Sequence, residues 1–151
     1  MKLFDCTLRD GANVLGKGFP ADLTKLMLEG LIENGITTIE YGNAGGIGAY
    51  DVSNSIAPLT DVEYLELVQP YLGRAEIGMF LNAKRYREQN VLLAAEKGLA
   101  FLRVGADAGD SNIAMDAIRL VAKNGMKVCY SLMKAYIVPP RDLAEESKKL
   151  E

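Results

Sequence analysis

Residues 4–11 read FDCTLRDG and place an arginine, an aspartate and a glycine directly after a short apolar run. A second acid, Glu40, sits near the end of the run ITTIEYG at 36–42. If these runs are neighbouring strands, Asp10 and Glu40 share a cation or a proton, and two carboxylates suit a hard ion such as Mg²⁺ or Mn²⁺. Arg9 beside them then stabilises negative charge developing on a substrate oxygen. The same residues equally allow a structural arrangement, with Arg9 and Glu40 as a buried ion pair and Gly11 making the turn.

Other chemistry-bearing side chains also fall just after apolar runs. They are Asn13 after the first, Tyr41 and Asn43 after the second, Asp107 and Asp110 after the fourth, and Lys134 and Tyr136 after the fifth. Arg103 lies within the fourth run, where it either pairs with Glu40 or reaches substrate. The scattered Lys134, Tyr136 and Arg141 read as solvated surface. The stretch GNAGGIGAYD at 42–51 invites a backbone anion cradle. It lacks the GxGxxG order, and a lid or plain loop is the expectation.

Composition narrows the field. The 151 residues carry no histidine, which excludes Ser/His and Cys/His catalytic pairs within them and removes the commonest transition-metal ligand. Seventeen basic against 20 acidic residues give a net charge of −3, with no basic face for nucleic acid. No run approaches the roughly 20 apolar residues that span a bilayer, and the charged N-terminus is unlike a secretory signal. A cytoplasmic protein with small-molecule partners is expected. Cys6 and Cys129 share no metal-ligand spacing and read as buried reduced thiols.

Five β-rich runs alternate with helical patterns: LFDCT, ITTIEYG, AEIGMFL at 75–81, AFLRVGA at 100–106 and KVCYSLM at 127–133. Such alternation predicts a parallel sheet. The first helix spans 22–34 with Leu23, Leu26, Met27, Gly30 and Leu31 on its inner face. A second begins at Thr60, where Glu63 completes a capping box and Val62, Leu65 and Val68 turn inward. Further helices are expected at 86–97, from Ser111 with Met115, Ile118, Val121 and Ala122 inward, and after Pro139-Pro140. Gly35, Gly98 and Gly125 each follow an Asn or Lys where a helix must stop.

Two architectures use this grammar: a five-stranded doubly wound sheet, complete at this length, and an eight-stranded TIM barrel of roughly 250 residues. No internal boundary divides residues 1–151.

Asp5-x-Thr7-Leu8-Arg9-Asp10-Gly11, followed by Gly35-Ile36-Thr37-Thr38-Ile39-Glu40-Tyr41-Gly42, resembles the metal-dependent carbon–carbon lyases and synthases built on a TIM barrel. That superfamily includes HMG-CoA lyase and 4-hydroxy-2-oxovalerate aldolase, and the glycine-rich loop is most similar to the aldolase branch. The resemblance implies that the chain is the N-terminal portion of a catalytic barrel, covering about five of eight βα units. It implies a divalent metal, Mn²⁺ or Mg²⁺, bound by Asp10 together with a His-x-His pair beyond residue 151.

The implied substrate is a 2-oxo acid bound as its enolate. The catalytic residues are then Arg9, Glu40 and Asn13, with Arg9, Asn43 and Arg103 binding substrate. In the aldolase branch histidines stand at the positions of Asn13 and Asn43; an amide hydrogen-bonds substrate but is no base at neutral pH. The fragment alone is expected to be inactive, with a homodimer as one way to cover open strand edges. Two alternatives remain: an acyl-CoA-dependent Claisen synthase of the same superfamily, and a non-catalytic small-anion-binding or assembly domain.

Overall fold

The computed structural model describes residues 2–52 and 54–150; Met1, Ser53 and Glu151, inside the span 1–151 expected as one domain, lie outside the described residues. Four parallel strands form one curled sheet in the manner of a half-barrel. They are β1 (Thr38–Glu40), β2 (Glu76–Asn82), β3 (Phe101–Asp107) and β4 (Lys127–Met133), ordered as in the chain. The helices are α1 (Ala21–Glu33), α2 (Asp61–Leu67), α3 (Glu88–Glu96), α4 (Met115–Lys123) and α5 (Pro140–Leu150). Among the described residues no helix is long and apolar enough to cross a membrane.

The first expected strand, LFDCT, is reduced to one bridge. Asp5 pairs with Ile39, its N–H donating to Thr38 O at 3.0 Å and its carbonyl accepting from Glu40 N at 2.8 Å. The chain then turns at once, with Arg9 and Asp10 N–H both donating to Cys6 O. Too little extended backbone is left for a strand, so four strands and a bridging segment replace the expected five. The doubly wound alternative also requires a reversal of strand order to create a switch point. The order β1-β2-β3-β4 contains none.

Alternation along the strands separates two faces. Ile39, Ile77, Met79, Leu81, Leu102, Val104 and Ala106 join the helices in one core with Leu28, Leu65, Val68, Val91, Ala94, Ala117 and Val121. The other face carries Glu40, Phe80, Arg103, Asp107 and Cys129. The capping box forms as expected, Thr60 Oγ1 accepting from Glu63 N while the Glu63 carboxylate accepts from Thr60 N. Gly35, Gly98 and Gly125 stop their helices at φ between 76° and 81°, a conformation a side chain disfavours.

Helix faces are shifted from the expected stripes. Leu26 and Val62 are exposed, and Ala122 is exposed too. Leu65, Val68 and Val121 are buried as expected, and Leu23, Met27, Leu31 and Ile118 pack against the core; the deepest positions also include Thr24 and Leu28 in α1, Tyr64 and Leu67 in α2, and Ala117 in α4. Each stripe was drawn from apolarity alone, whereas the approach of a helix to a twisted sheet selects which residues it buries. Thr24 can be buried because its hydroxyl donates to Phe19 O.

The last helix is tied down by a carboxylate. Glu146, buried, accepts from Gly109 N at 2.8 Å and Ser111 N at 2.9 Å. Burial opposes its charge, yet these donors outweigh it and hold the carboxyl below its ordinary value. Glu146→Ala is expected to cost about 2 kcal/mol, read as a lower urea midpoint, because two backbone donors lose a charged acceptor. An unchanged midpoint would show that α5 is held otherwise. The ionised carboxylate contributes stability above its unfolded value of about 4.3 and loses it as pH falls through the lower folded value. Glu146→Gln is therefore expected to remove that part of the acid sensitivity.

Candidate active site

Strand β1 ends on Glu40, whose side chain turns to the open face and is fully buried there. A lone carboxylate in such a place is strongly disfavoured. Three charge-assisted hydrogen bonds compensate it. Arg9 Nε donates to Oε1 at 2.6 Å, Arg103 Nη2 to Oε1 at 2.7 Å and Arg103 Nε to Oε2 at 2.6 Å. Burial works against the Arg103 charge, but the bonds and attraction to Glu40 prevail and raise its pKa above the ordinary arginine value.

Phe80 completes the cluster. Its ring lies 5.0 Å from Arg9 Cζ and 4.9 Å from Arg103 Cζ, so two guanidiniums share one aromatic ring. Phe4 lies 5.9 Å from Arg103 Cζ. Strand register brings this about, since Phe80 pairs with Arg103 while Glu40, one strand away, pairs with Gly78. A Cβ on Gly105 would meet the Phe80 ring at 2.6 Å, so glycine is required beneath it.

Asp10 extends the cluster outward. It is largely exposed, and its Oδ1 accepts from Arg9 Nη1 at 2.7 Å. Asn13, in the 3-10 turn Gly11–Asn13, donates from its amide to Asp10 O at 3.1 Å. Arg9, Asp10, Asn13, Glu40 and Arg103 are thus brought into one connected group.

Asn43 is not in that group. Buried, it donates to Ser55 O at 2.7 Å and accepts from Gly45 N at 2.8 Å, so its amide is committed to the glycine-rich loop. That loop is packed, not a free lid. Ile47 N donates to Phe80 O, Gly46 N to Asn43 O and Gly48 N to Asp61 Oδ2, leaving these amides no free direction for an anion cradle. A Cβ on Gly46 would stand 2.4 Å from Phe80 O, which is why the loop can lie this close to β2. Burial pushes the Asp61 carboxyl above its ordinary value, against the Gly48 hydrogen bond.

The donors present decide whether a metal fits here. Glu40 has both oxygens engaged by arginine, and among the described residues no three His, Cys, Asp or Glu side chains gather closely enough to hold an ion. Of the two carboxylates in this cluster, Asp10 is the accessible one. The residues of this chain do not form a self-contained metal site, and the expected sharing of a cation by Asp10 and Glu40 is replaced by the arginine bonds.

Three features were missed by sequence reasoning. Phe80 resembled any apolar strand residue; its facing is visible only by counting alternate positions from Arg103 across the register. Asp61, the first residue of α2, is the second: its carboxylate accepts from Gly48 N in the glycine-rich loop. Lys84, which donates to Asp107 Oδ2 at 3.2 Å, is the third; Lys134, exposed as expected, donates to the same oxygen at 3.0 Å. These bonds hold the Asp107 carboxyl below its usual range.

No family model matches the chain. Curated relatives do. It is 28% identical over 151 residues to 4-hydroxy-2-oxovalerate aldolase of Carboxydothermus hydrogenoformans, covering 100% of this chain and 45% of the relative. The aldolase of Desulfitobacterium hafniense is 27% identical with the same coverage, and that of Alkalilimnicola ehrlichii 29% identical over 147 residues, 97% of this chain and 43% of the relative. These three relatives are aldolases by name.

The chain spans less than half the length of these aldolases, matching their N-terminal part. Among solved structures, one described as "the N-terminal domain of a putative aldolase" from Bacteroides vulgatus superposes with a TM-score of 0.70 at 18% identity. It covers 94% of this chain and 48% of the other. Rhizobium etli pyruvate carboxylase superposes at 0.66 with 15% identity over 98% of this chain and 16% of the enzyme. These likenesses show a shared fold.

Two outcomes are expected from this geometry. Glu40→Gln leaves two guanidiniums without their buried anion and is expected to cost about 3–5 kcal/mol in chemical denaturation. A loss below about 1 kcal/mol would mean that the arginines are solvated rather than compensated by Glu40. Cys6, half-buried beside Glu40, has its thiol pushed up to about 11, first by burial and then by the Glu40 charge. Near pH 8 its thiolate fraction is expected to lie roughly a hundredfold below that of an ordinary cysteine, measured as slow alkylation.

Proposed function

We propose that this chain is the N-terminal part of a divalent-metal-dependent aldolase that cleaves or forms a carbon–carbon bond of a 2-oxo acid through a pyruvate-type enolate. The observation that carries the reading is the placement of Arg9. It is clamped by buried Glu40, flanked by Phe80 and bonded to an exposed Asp10, so a fixed positive charge stands beside an accessible carboxylate at the mouth of the curled sheet. The aldolase relatives along the whole chain support the same reading.

Each residue then has a task. Arg9 uses Nε for Glu40 and Nη1 for Asp10, and Nη2 is the nitrogen it offers to the substrate oxygen on which charge develops. Because Glu40 already orients the guanidinium, little reorganisation is needed as the enolate forms. Arg103 contributes a second guanidinium that orients the substrate carboxylate. Glu40 positions both arginines. Asn13 supplies an amide for hydrogen bonding, and Asn43 acts indirectly by holding the loop over Phe80.

Asp10 is the one ligand this chain gives to the metal, whose other ligands belong to later strands of the complete barrel. A divalent cation held at Asp10 would contribute Lewis-acid polarisation of the 2-oxo group. With amides at Asn13 and Asn43, proton transfer falls to a group outside these 151 residues. Strand β4, partly exposed along its length, is the edge on which the barrel continues.

The test is cleavage of a 4-hydroxy-2-oxo acid by the full-length protein with Mn²⁺, followed as pyruvate release. Arg9→Lys is expected to lower kcat by about a hundredfold or more. Asp10→Asn is expected to weaken Mn²⁺ binding in calorimetry as well as activity. Wild-type activity in Asp10→Asn would refute the reading, and acetyl-CoA consumption without aldol cleavage would replace it by a Claisen synthase.

A further inference from the structure

A second charged cluster stands at the carboxyl ends of the strands, apart from the Glu40 group. Lys84 belongs to the 3-10 turn Ala83–Arg85 directly after β2, Asp107 is the last residue of β3, and Lys134 is the first residue after β4. Three consecutive strands therefore deliver their terminal side chains to one point. Both lysines donate to Asp107 Oδ2, so their ammonium groups stand within about 6 Å of each other, with the Asp107 carboxylate between them offsetting their mutual repulsion.

The cluster has donor capacity to spare. Each ammonium carries three N–H donors, and one from each is used on Asp107. Asp107 is mostly covered, whereas both lysines are more than half exposed and reach outward over it. Asp110 is the other acid nearby, 3.8 Å from Lys84 and itself exposed. Lys134 also has a left-handed backbone, φ 53° and ψ 34°. Attraction to Asp107 raises the Lys134 pKa, so it remains a cation throughout the neutral range.

The cluster is also aligned with the proposed active site. Arg103, Gly105 and Asp107 share one face of β3, and Arg103 to Asp107 is four residues, about 13 Å along the strand. Gly105 between them has no side chain, and the Phe80 ring lies over it as an apolar floor. A guanidinium pole and an ammonium pole are therefore separated by an apolar span of small-molecule length.

We propose that Lys84 and Lys134 form a recognition pair for a second carboxylate, carried by the substrate at the end remote from its 2-oxo group. Asp107 is the positioning residue that keeps the ammonium groups together when no ligand is bound. The substrate class becomes a dicarboxylic 2-oxo acid of five or more carbons; this rests on the 2-oxo acid reading above.

The experiment is an NMR titration of the full-length protein with glutarate and with butyrate, following the Lys84, Asp107 and Lys134 amides. Glutarate is expected to saturate with a Kd at least tenfold below that of butyrate. The double variant Lys84→Met/Lys134→Met is expected to bring the two values within twofold. Lys25→Met, which removes an exposed charge from α1, is expected to keep the preference. Equal affinities in the wild type, a preference surviving in the double variant, or an equal drop in Lys25→Met would each overturn the proposal.

A second readout is the ratio of kcat/KM for dicarboxylic over monocarboxylic 2-oxo acids, expected to fall about tenfold in the double variant, mainly through KM. An unchanged ratio overturns the proposal and leaves the aldolase reading intact. If no 2-oxo acid is cleaved, the glutarate preference still decides the lysine pair, so the two failures are distinguishable.

Discussion

A carboxylate removed from water beside two guanidiniums organises this molecule. Glu40 is buried because β1, although it stands at one end of the sheet order, is covered along its whole length, and its charge persists there because Arg9 and Arg103 supply three short hydrogen bonds. Removing Glu40 would leave two covered guanidiniums without their anion, which is far costlier than a lost surface contact. The bridging segment, β1 and β3 are thereby locked together through side chains as well as through backbone pairing. The catalytic candidate, Arg9, is at the same time a structural member of this lock.

That dual role accounts for the glycines and the aromatic ring around it. The rings beside the arginines need small neighbours on the strands, and Gly78 and Gly105 leave space for Phe101 and Phe80. A Cβ on Gly78 would meet Phe101 O at 2.3 Å, and one on Gly105 would meet the Phe80 ring. The glycine-rich loop then seals the ring from above through Ile47 N and the close approach of Gly46. Its glycines serve packing density, not anion binding. The two expectations differ because GNAGGIGAYD specifies backbone freedom without specifying what that freedom is for.

Legibility varied with the range of the interaction. The capping box at Thr60, the helix stops at Gly35, Gly98 and Gly125, and the runs of β2, β3 and β4 are local, so they were readable within a few residues. The helix faces were less so: Leu26 and Val62 are apolar yet exposed, because the sheet meets α1 and α2 along Leu28 and Leu65. LFDCT has strand composition, but its backbone turns at Cys6 and retains a single bridge. In the candidate site, Arg9, Asp10, Asn13, Glu40 and Arg103 were nameable from their positions after or within apolar runs, as were Asp107 and Lys134, whereas Phe80, Lys84 and the joining of Lys84 and Lys134 on Asp107 were not.

By itself, the sequence determined the βα alternation, the absence of any histidine base and the clustering of arginine and carboxylate after the first two apolar runs. These depend on residue type and short spacing, which hydrophobic periodicity and turn chemistry make readable. Tertiary structure alone decided the outcome of the competition for Glu40: both its oxygens bind arginine, Asp10 stays exposed and Asn43 turns into the loop. Such choices depend on strand register and on which side chains lose water together. The physical reason is that burial sets the worth of a charge, and burial is a property of the assembled sheet.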